Sequence, residues 1–129
     1  MPYVHIVIGL ALIEYLYFGF AVAQARQRYK VIAPATSGDP TFERYFRVQM
    51  NTLEQLVVFV PSILIFAHYF SPYVAAGLGA VFVIARLLYF FSYVKDPKKR
   101  ELGFTLTVLP TVILLVGGLW GAARAALYL

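Results

Sequence analysis

The sequence contains no cysteine. That absence excludes disulfides, a cysteine nucleophile and thiolate metal sites. Histidine is almost as scarce: His5 and His68 are too few and too far apart for a metal motif, so no metal is expected. Charge is scarce as well. Only 13% of the 129 residues are charged, against about 25% in an ordinary soluble domain. There is no solenoid-like repeat and no low-complexity tract. The opening Met1-Pro2-Tyr3 lacks the basic start of a signal peptide, and the apolar stretch behind it is too long for one. A retained helix is therefore expected there.

Apolar residues fill the space that charge leaves. They make up 61% of the chain, with ten Tyr and eleven Phe among them. Tyr suits the water–lipid interface because its ring is apolar and its tip is polar. A helix needs about 20 apolar residues to cross the hydrocarbon core. Four runs are candidates, at about residues 3–24, 56–70, 73–93 and 102–127, the second reaching that length only with the residues before it. The second has a more polar start, and Asp39-Pro40 marks where its helix begins: Asp can cap, and Pro suits the first helical position. The expected fold is all-α, an integral membrane four-helix bundle. Helices at about 3–24, 40–70, 73–93 and 102–127 would form one four-span domain over residues 1–129.

The basic residues give an orientation. Arg26, Arg28, Lys30, Arg44 and Arg47 lie in or beside the first connection, and Lys95, Lys98, Lys99 and Arg100 lie in the third. The second connection, His68 to Tyr73, carries no formal charge. Cytosolic loops hold the excess Lys and Arg, so loops 1 and 3 should be cytosolic and both termini non-cytosolic.

Two polar stripes sit where hydrocarbon should begin. A helix from Pro40 to Phe70 would be roughly 45 Å long, longer than the hydrocarbon core of about 30 Å. Its first turns should protrude on the cytosolic side. Arg47, Asn51 and Glu54 lie there at i, i+4 and i+7, on one face. Gln49 points elsewhere, and Gln55 follows Glu54. On the third helix Arg86, Tyr89 and Tyr93 lie at i, i+3 and i+7. The stripes together offer a guanidinium for carboxylates, an amide, a carboxylate for an ammonium group and two phenols. That set suits a small zwitterion rich in carboxylates, because arginine binds carboxylate in a fork. Ionisable groups inside a span are costly and face the bundle or a cavity. Glu14 and Arg86 are read as structural intramembrane charges; Arg86 could pair with Glu54 or with Glu14.

The segment Phe42-Glu43-Arg44-Tyr45-Phe46-Arg47-Val48-Gln49-Met50-Asn51-Thr52-Leu53-Glu54 resembles the signature of the MAPEG family, the membrane-associated proteins of eicosanoid and glutathione metabolism. The nearest branch is that of the microsomal glutathione transferases and leukotriene-forming synthases. Six polar positions at fixed spacing make the pattern specific. Ala85-Arg86-Leu87-Leu88-Tyr89-Phe90-Phe91-Ser92-Tyr93 is similar to the third-helix motif of that branch, and Ala25-Arg26 before a basic loop also fits. The resemblance covers essentially the whole chain.

It implies a homotrimer with glutathione, the co-substrate, bound between neighbouring protomers near the cytosolic face. By motif position Arg47, Asn51, Glu54, Tyr89 and Tyr93 would hold glutathione from one protomer, with Arg26 and Gln49 from its neighbour. Arg100 matches the arginine that stabilises the thiolate. The implied activity is a glutathione transferase acting on a hydrophobic electrophile, with glutathione-dependent reduction of lipid hydroperoxides as a second reaction. Partners would be glutathione, the electrophile or lipid, and membrane lipids, with no nucleic acid. The sequence departs from the leukotriene-forming pattern at Gln27, where a second arginine is expected, at Gln55, where a tyrosine often follows, and near Val112, where an aromatic is expected. Two other readings compete: a non-catalytic lipid-binding member of the family, and a small proton-coupled multidrug exporter using Glu14. The lean loops and the lack of organellar targeting fit a bacterial inner membrane.

The charge bias makes a direct prediction. A reporter fused to the C-terminus should score as non-cytosolic. A cytosolic score would mean an odd number of spans or inverted insertion.

Overall fold

The computed structural model describes residues 1–99 and 101–128. Four long helices run antiparallel in chain order: α1 (Pro2–Tyr29), α2 (Pro40–Tyr69), α3 (Pro72–Lys95) and α4 (Glu101–Leu127). A single 3-10 turn, Pro97–Lys99, lies before α4. Each helix contains a stretch long and apolar enough to cross a membrane. The ends of α1 and α3 and the starts of α2 and α4 share one end of the bundle. It carries nearly all the cations and is called here the basic end.

Local chemistry sets the helix limits. Asp39 Oδ1 accepts the backbone N–H groups of Thr41 and Phe42, both at 2.9 Å, and Pro40 follows at the first helical position. Ser71 Oγ accepts from Val74 N at 3.3 Å ahead of Pro72. At the other end of α1, Lys30 takes the left-handed conformation (φ 57°). Arg26 O accepts the backbone N–H of Lys30, and Val31 N also donates back to it at 3.0 Å, which closes the last turn. α1 thus continues past its apolar run to Tyr29, and its last turns are polar.

The core is a stack of apolar side chains between α1, α2 and α3, closed by α4. Phe59 and Phe82 stack at 3.8 Å with planes 8° apart. Gly79 makes this approach possible, since a Cβ there would stand 2.5 Å from Val7 and 2.8 Å from Ile63. Small residues serve membrane helices in this way because packing, not hydrophobicity, holds them together in lipid. Outward-facing positions are apolar in turn: Ile13, Leu16 and Phe20 are 63%, 72% and 61% exposed.

One cation lies inside this apolar frame. Arg86 on α3 is 0% exposed. Its Nη2 donates to Thr52 Oγ1 of α2 at 2.8 Å, and its Nη1 to Thr107 Oγ1 of α4 at 3.4 Å. Each hydroxyl passes its own proton on, Thr52 to Val48 O at 2.7 Å and Thr107 to Gly103 O at 2.8 Å. The guanidinium also lies 4.4 Å from the centre of the Tyr89 ring, within cation–π range. The two terminal nitrogens of Arg86 are therefore met by threonines, while its Nε is buried with no hydrogen-bond partner among the described residues. Glu54 is exposed elsewhere on α2. Glu14 of α1 is 6% exposed, and neither carboxylate oxygen has a hydrogen-bond partner among the described residues. Its attraction to Arg86 acts at longer range than a hydrogen bond.

The clamp yields a prediction. Thr52→Val keeps the shape and removes the shorter acceptor of a buried guanidinium. It should cost about 1.5–3 kcal/mol, read as a lowered melting midpoint in mild detergent. Thr107→Val, which removes the longer contact, should cost less. An unchanged midpoint in Thr52→Val would contradict the clamp.

Candidate functional site

At the basic end a cleft of about 390 Å³ opens between α2, α3 and the loop after α1, within the range of small-molecule sites. α2 contributes a continuous stripe: Glu43, Phe46, Arg47, Met50, Asn51 and Glu54. These positions follow the i, i+3, i+4, i+7 rhythm of one helix face. α3 contributes Tyr89 and Tyr93, one turn apart, with parallel rings 5.5 Å apart and planes 8° from each other. The loop after α1 adds the hydroxyls of Thr36 and Ser37.

Five of the residues singled out from the sequence, Arg47, Asn51, Glu54, Tyr89 and Tyr93, line this single cleft. Arg47 and Glu54 are exposed, Asn51 is half-buried and Tyr89 is buried. Asn51 Oδ1 is buried with no hydrogen-bond partner among the described residues. The lining holds a guanidinium, an amide, two carboxylates, two phenols and two hydroxyls, with Phe46 and Met50 as its apolar members. Such a site can hold a polar peptide-sized molecule bearing both signs of charge.

Arg26 and Gln49 lie outside the cleft. Arg26 Nη1 donates to Ala35 O at 2.6 Å, and its guanidinium lies 4.8 Å from the centre of the Phe42 ring. Gln49 points toward α1, where its amide nitrogen would stand 2.9 Å from a Cβ at Gly19. Arg100 lies outside the described residues. The start of α4 is nonetheless pressed against the cleft wall: a Cβ at Gly103 would stand 2.7 Å from Tyr89 Cα. No side chain fits there, so the first turn of α4 abuts the residue that backs the cleft.

Several lining residues were not picked out by sequence reasoning. Glu43 had a legible signal, since it precedes Arg47 by four positions on the same face. Thr36 and Ser37 had none, because loop placement depends on tertiary contacts. Arg44 carries part of the motif for a structural reason. Its Nη1 donates to Val94 O at 3.2 Å and Lys95 O at 3.5 Å, tying the open C-terminal carbonyls of α3 to α2. The two walls of the cleft are thus fixed to each other just above it. Among the described residues no group of His, Asp and Glu could hold a metal ion.

The fold and the spans define an integral, multi-pass, all-helical membrane protein. The sequence profile of the MAPEG family matches residues 4–120, and the chain belongs to that family. Its relatives include an uncharacterized protein of Synechocystis sp., 46% identical over 114 residues (88% of this chain, 83% of the relative). Microsomal glutathione S-transferase 2 of Homo sapiens is 39% identical over 111 residues (86% and 76%). Leukotriene C4 synthase of Cavia porcellus is 35% identical over 119 residues (86% and 79%).

Proposed function

We propose that this protein is a glutathione transferase that joins glutathione to a hydrophobic electrophile at the membrane surface. The observation that carries this reading is the single cleft in which Arg47, Asn51, Glu54, Tyr89 and Tyr93 meet. Relatives named as a microsomal glutathione S-transferase and a leukotriene C4 synthase support it. Glutathione carries two carboxylates, an ammonium group and two amides. Arg47 is the fork for a carboxylate, Glu54 answers the ammonium, and Asn51 Oδ1 takes an amide N–H.

A thiol near neutral pH is mostly protonated, and only the thiolate attacks well. We assign Arg100 to the thiolate, because a guanidinium nearby favours the charged form without titrating itself. The sulfur then bonds to the electrophilic carbon. The carbon–leaving-group bond breaks, or an epoxide carbon–oxygen bond opens, and the displaced oxygen or halide leaves with the electron pair. The thiol's proton ends in water or on the opened oxygen. With a lipid hydroperoxide the thiolate attacks the terminal peroxide oxygen and, with a proton taken up, releases the alcohol. A second glutathione converts the resulting sulfenic acid to disulfide and water. Glutathione arrives from water and the electrophile from lipid, so the site acts by bringing together reactants that prefer different phases.

In this reading the active assembly is a homotrimer. Arg26 and Gln49 lie outside the cleft of their own chain, so any contact they make with glutathione comes from a neighbouring protomer. Loops 1 and 3, and hence the cleft, face the cytosol.

Two measurements on detergent-purified protein test the proposal. Calorimetric titration should show glutathione binding, weakened about tenfold or more in Arg47→Ala and in Glu54→Ala, the loss expected for a charge-assisted contact. Arg100→Ala should instead lower turnover far more than affinity, because the charge it answers develops on sulfur. The thiol pKa in the complex, followed by thiolate absorbance against pH, should rise toward its free value. Lys98→Ala and Lys99→Ala serve as parallel controls. Normal turnover and an unchanged thiolate titration in Arg100→Ala would remove its assignment, and no binding at millimolar glutathione would remove the whole reading.

A further inference from the structure

A second cleft, of about 790 Å³, opens at the basic end between α1 and α3, with Tyr45 of α2 in its wall. It shares no lining residue with the first. Tyr45 stands two residues from Arg47, and Phe91 two from both Tyr89 and Tyr93. Two residues are about 200° around a helix, so the two clefts use opposite faces of α2 and α3.

The second cleft is graded along its length. Tyr17, Phe90 and Phe91 form its aromatic part, with Phe90 5.9 Å from Tyr17 and 5.8 Å from Tyr45, both edge-on. Gln24, Arg28 and Lys95 form its polar mouth. From Tyr17 to Arg28 the groove follows α1 for about 16 Å, close to half the hydrocarbon thickness of about 30 Å. That length can reach from a headgroup at the polar mouth to an acyl chain along the aromatic part within one leaflet.

Charge separates the two sites. The first cleft holds Glu43 and Glu54 with Arg47. The lining of the second holds Arg28 and Lys95 and no carboxylate. The Arg44 guanidinium sits against the carbonyls of Val94 and Lys95, so it adds positive charge beside the mouth and fixes the backbone that carries Lys95. A groove with aromatic rings along its depth and a polar head whose only charges are cationic fits a molecule with an anionic head and a long hydrocarbon tail.

We propose that this cleft binds one anionic phospholipid from the leaflet at the basic end. The phosphate lies at Arg28 and Lys95, and one acyl chain lies along Tyr17, Phe90 and Phe91. The site is independent of the glutathione cleft.

A fluorescent reporter placed in the groove tests this. Phe91→Trp in a Trp120→Phe background makes the only tryptophan a groove residue. Mixed micelles with brominated-chain phosphatidylglycerol or brominated-chain phosphatidylcholine are the probes. Phosphatidylglycerol should reach half-quenching at a mole fraction about 10- to 30-fold lower, the effect of two interfacial cations. Adding Arg28→Gln with Lys95→Gln should abolish that preference. Adding Lys98→Gln with Lys99→Gln, which removes the same charge outside the groove, should leave it. Equal quenching by both lipids, or no quenching because a second copy of the chain covers the groove, would overturn the proposal. So would an equal loss of preference with the Lys98 and Lys99 changes, which would mean diffuse surface charge. The two-lipid comparison in the parent reporter decides the matter even where a charge variant fails to fold.

Discussion

A guanidinium held among four apolar helices must be given acceptors, and the basic half of this bundle is organised by where those acceptors stand. Arg86 takes one from α2 and one from α4 while itself belonging to α3. Removing an ion from water without such partners costs several kcal/mol, so the three helices cannot slide past one another without exposing that cost. Thr52 follows Asn51 directly in sequence, and Tyr89 lies one turn beyond Arg86 with its ring against the guanidinium. Fixing Arg86 therefore fixes both walls of the first cleft. Arg44 adds a second tie nearer the surface. The residues that face the cleft are thus held by neighbours that do not.

This division explains which parts of the site were legible in the sequence. Spacing alone places Arg47, Asn51 and Glu54 on one face, because helix geometry is local. Spacing also pairs Tyr89 with Tyr93. The partners of Arg86 were not legible, since a threonine in an apolar run looks like any small packing residue until a neighbouring helix brings a donor to it. Glu54 and Glu14 were the natural candidates by charge, yet the guanidinium is met by neutral hydroxyls. The length of α1 was hidden for a different reason. Hydropathy reports where lipid ends, at about Gln24, whereas the helix ends where Lys30 turns left-handed. Arg26 and Arg28 gain fixed positions from those extra turns and serve different surfaces.

The two clefts draw on the same helices with opposite chemistry. One face of α2 and α3 carries both signs of charge and hydroxyls. The other, closed by α1, carries aromatic rings, and its only charged members are the cations Arg28 and Lys95. The proposed reaction, between a water-soluble peptide and a lipid-soluble partner, requires the protein to stand at a defined depth. A lipid held by its phosphate at Arg28 and Lys95 would help set that depth. Glu14 stands apart from both clefts. Its burial between helices accords with a role in packing, where a polar group in lipid is sheltered by its own bundle.

Recognition of a zwitterion by the first cleft rests on Arg47 and Glu54 standing on one helix face. Its most direct test leaves the protein unchanged and alters the ligand. Wild-type protein in detergent is titrated calorimetrically with glutathione and with an analogue lacking only the α-amino group. Glutathione should bind at millimolar concentration or below, and the analogue about tenfold or more weakly, because Glu54 then faces no cation. Equal affinity for the two would contradict the account.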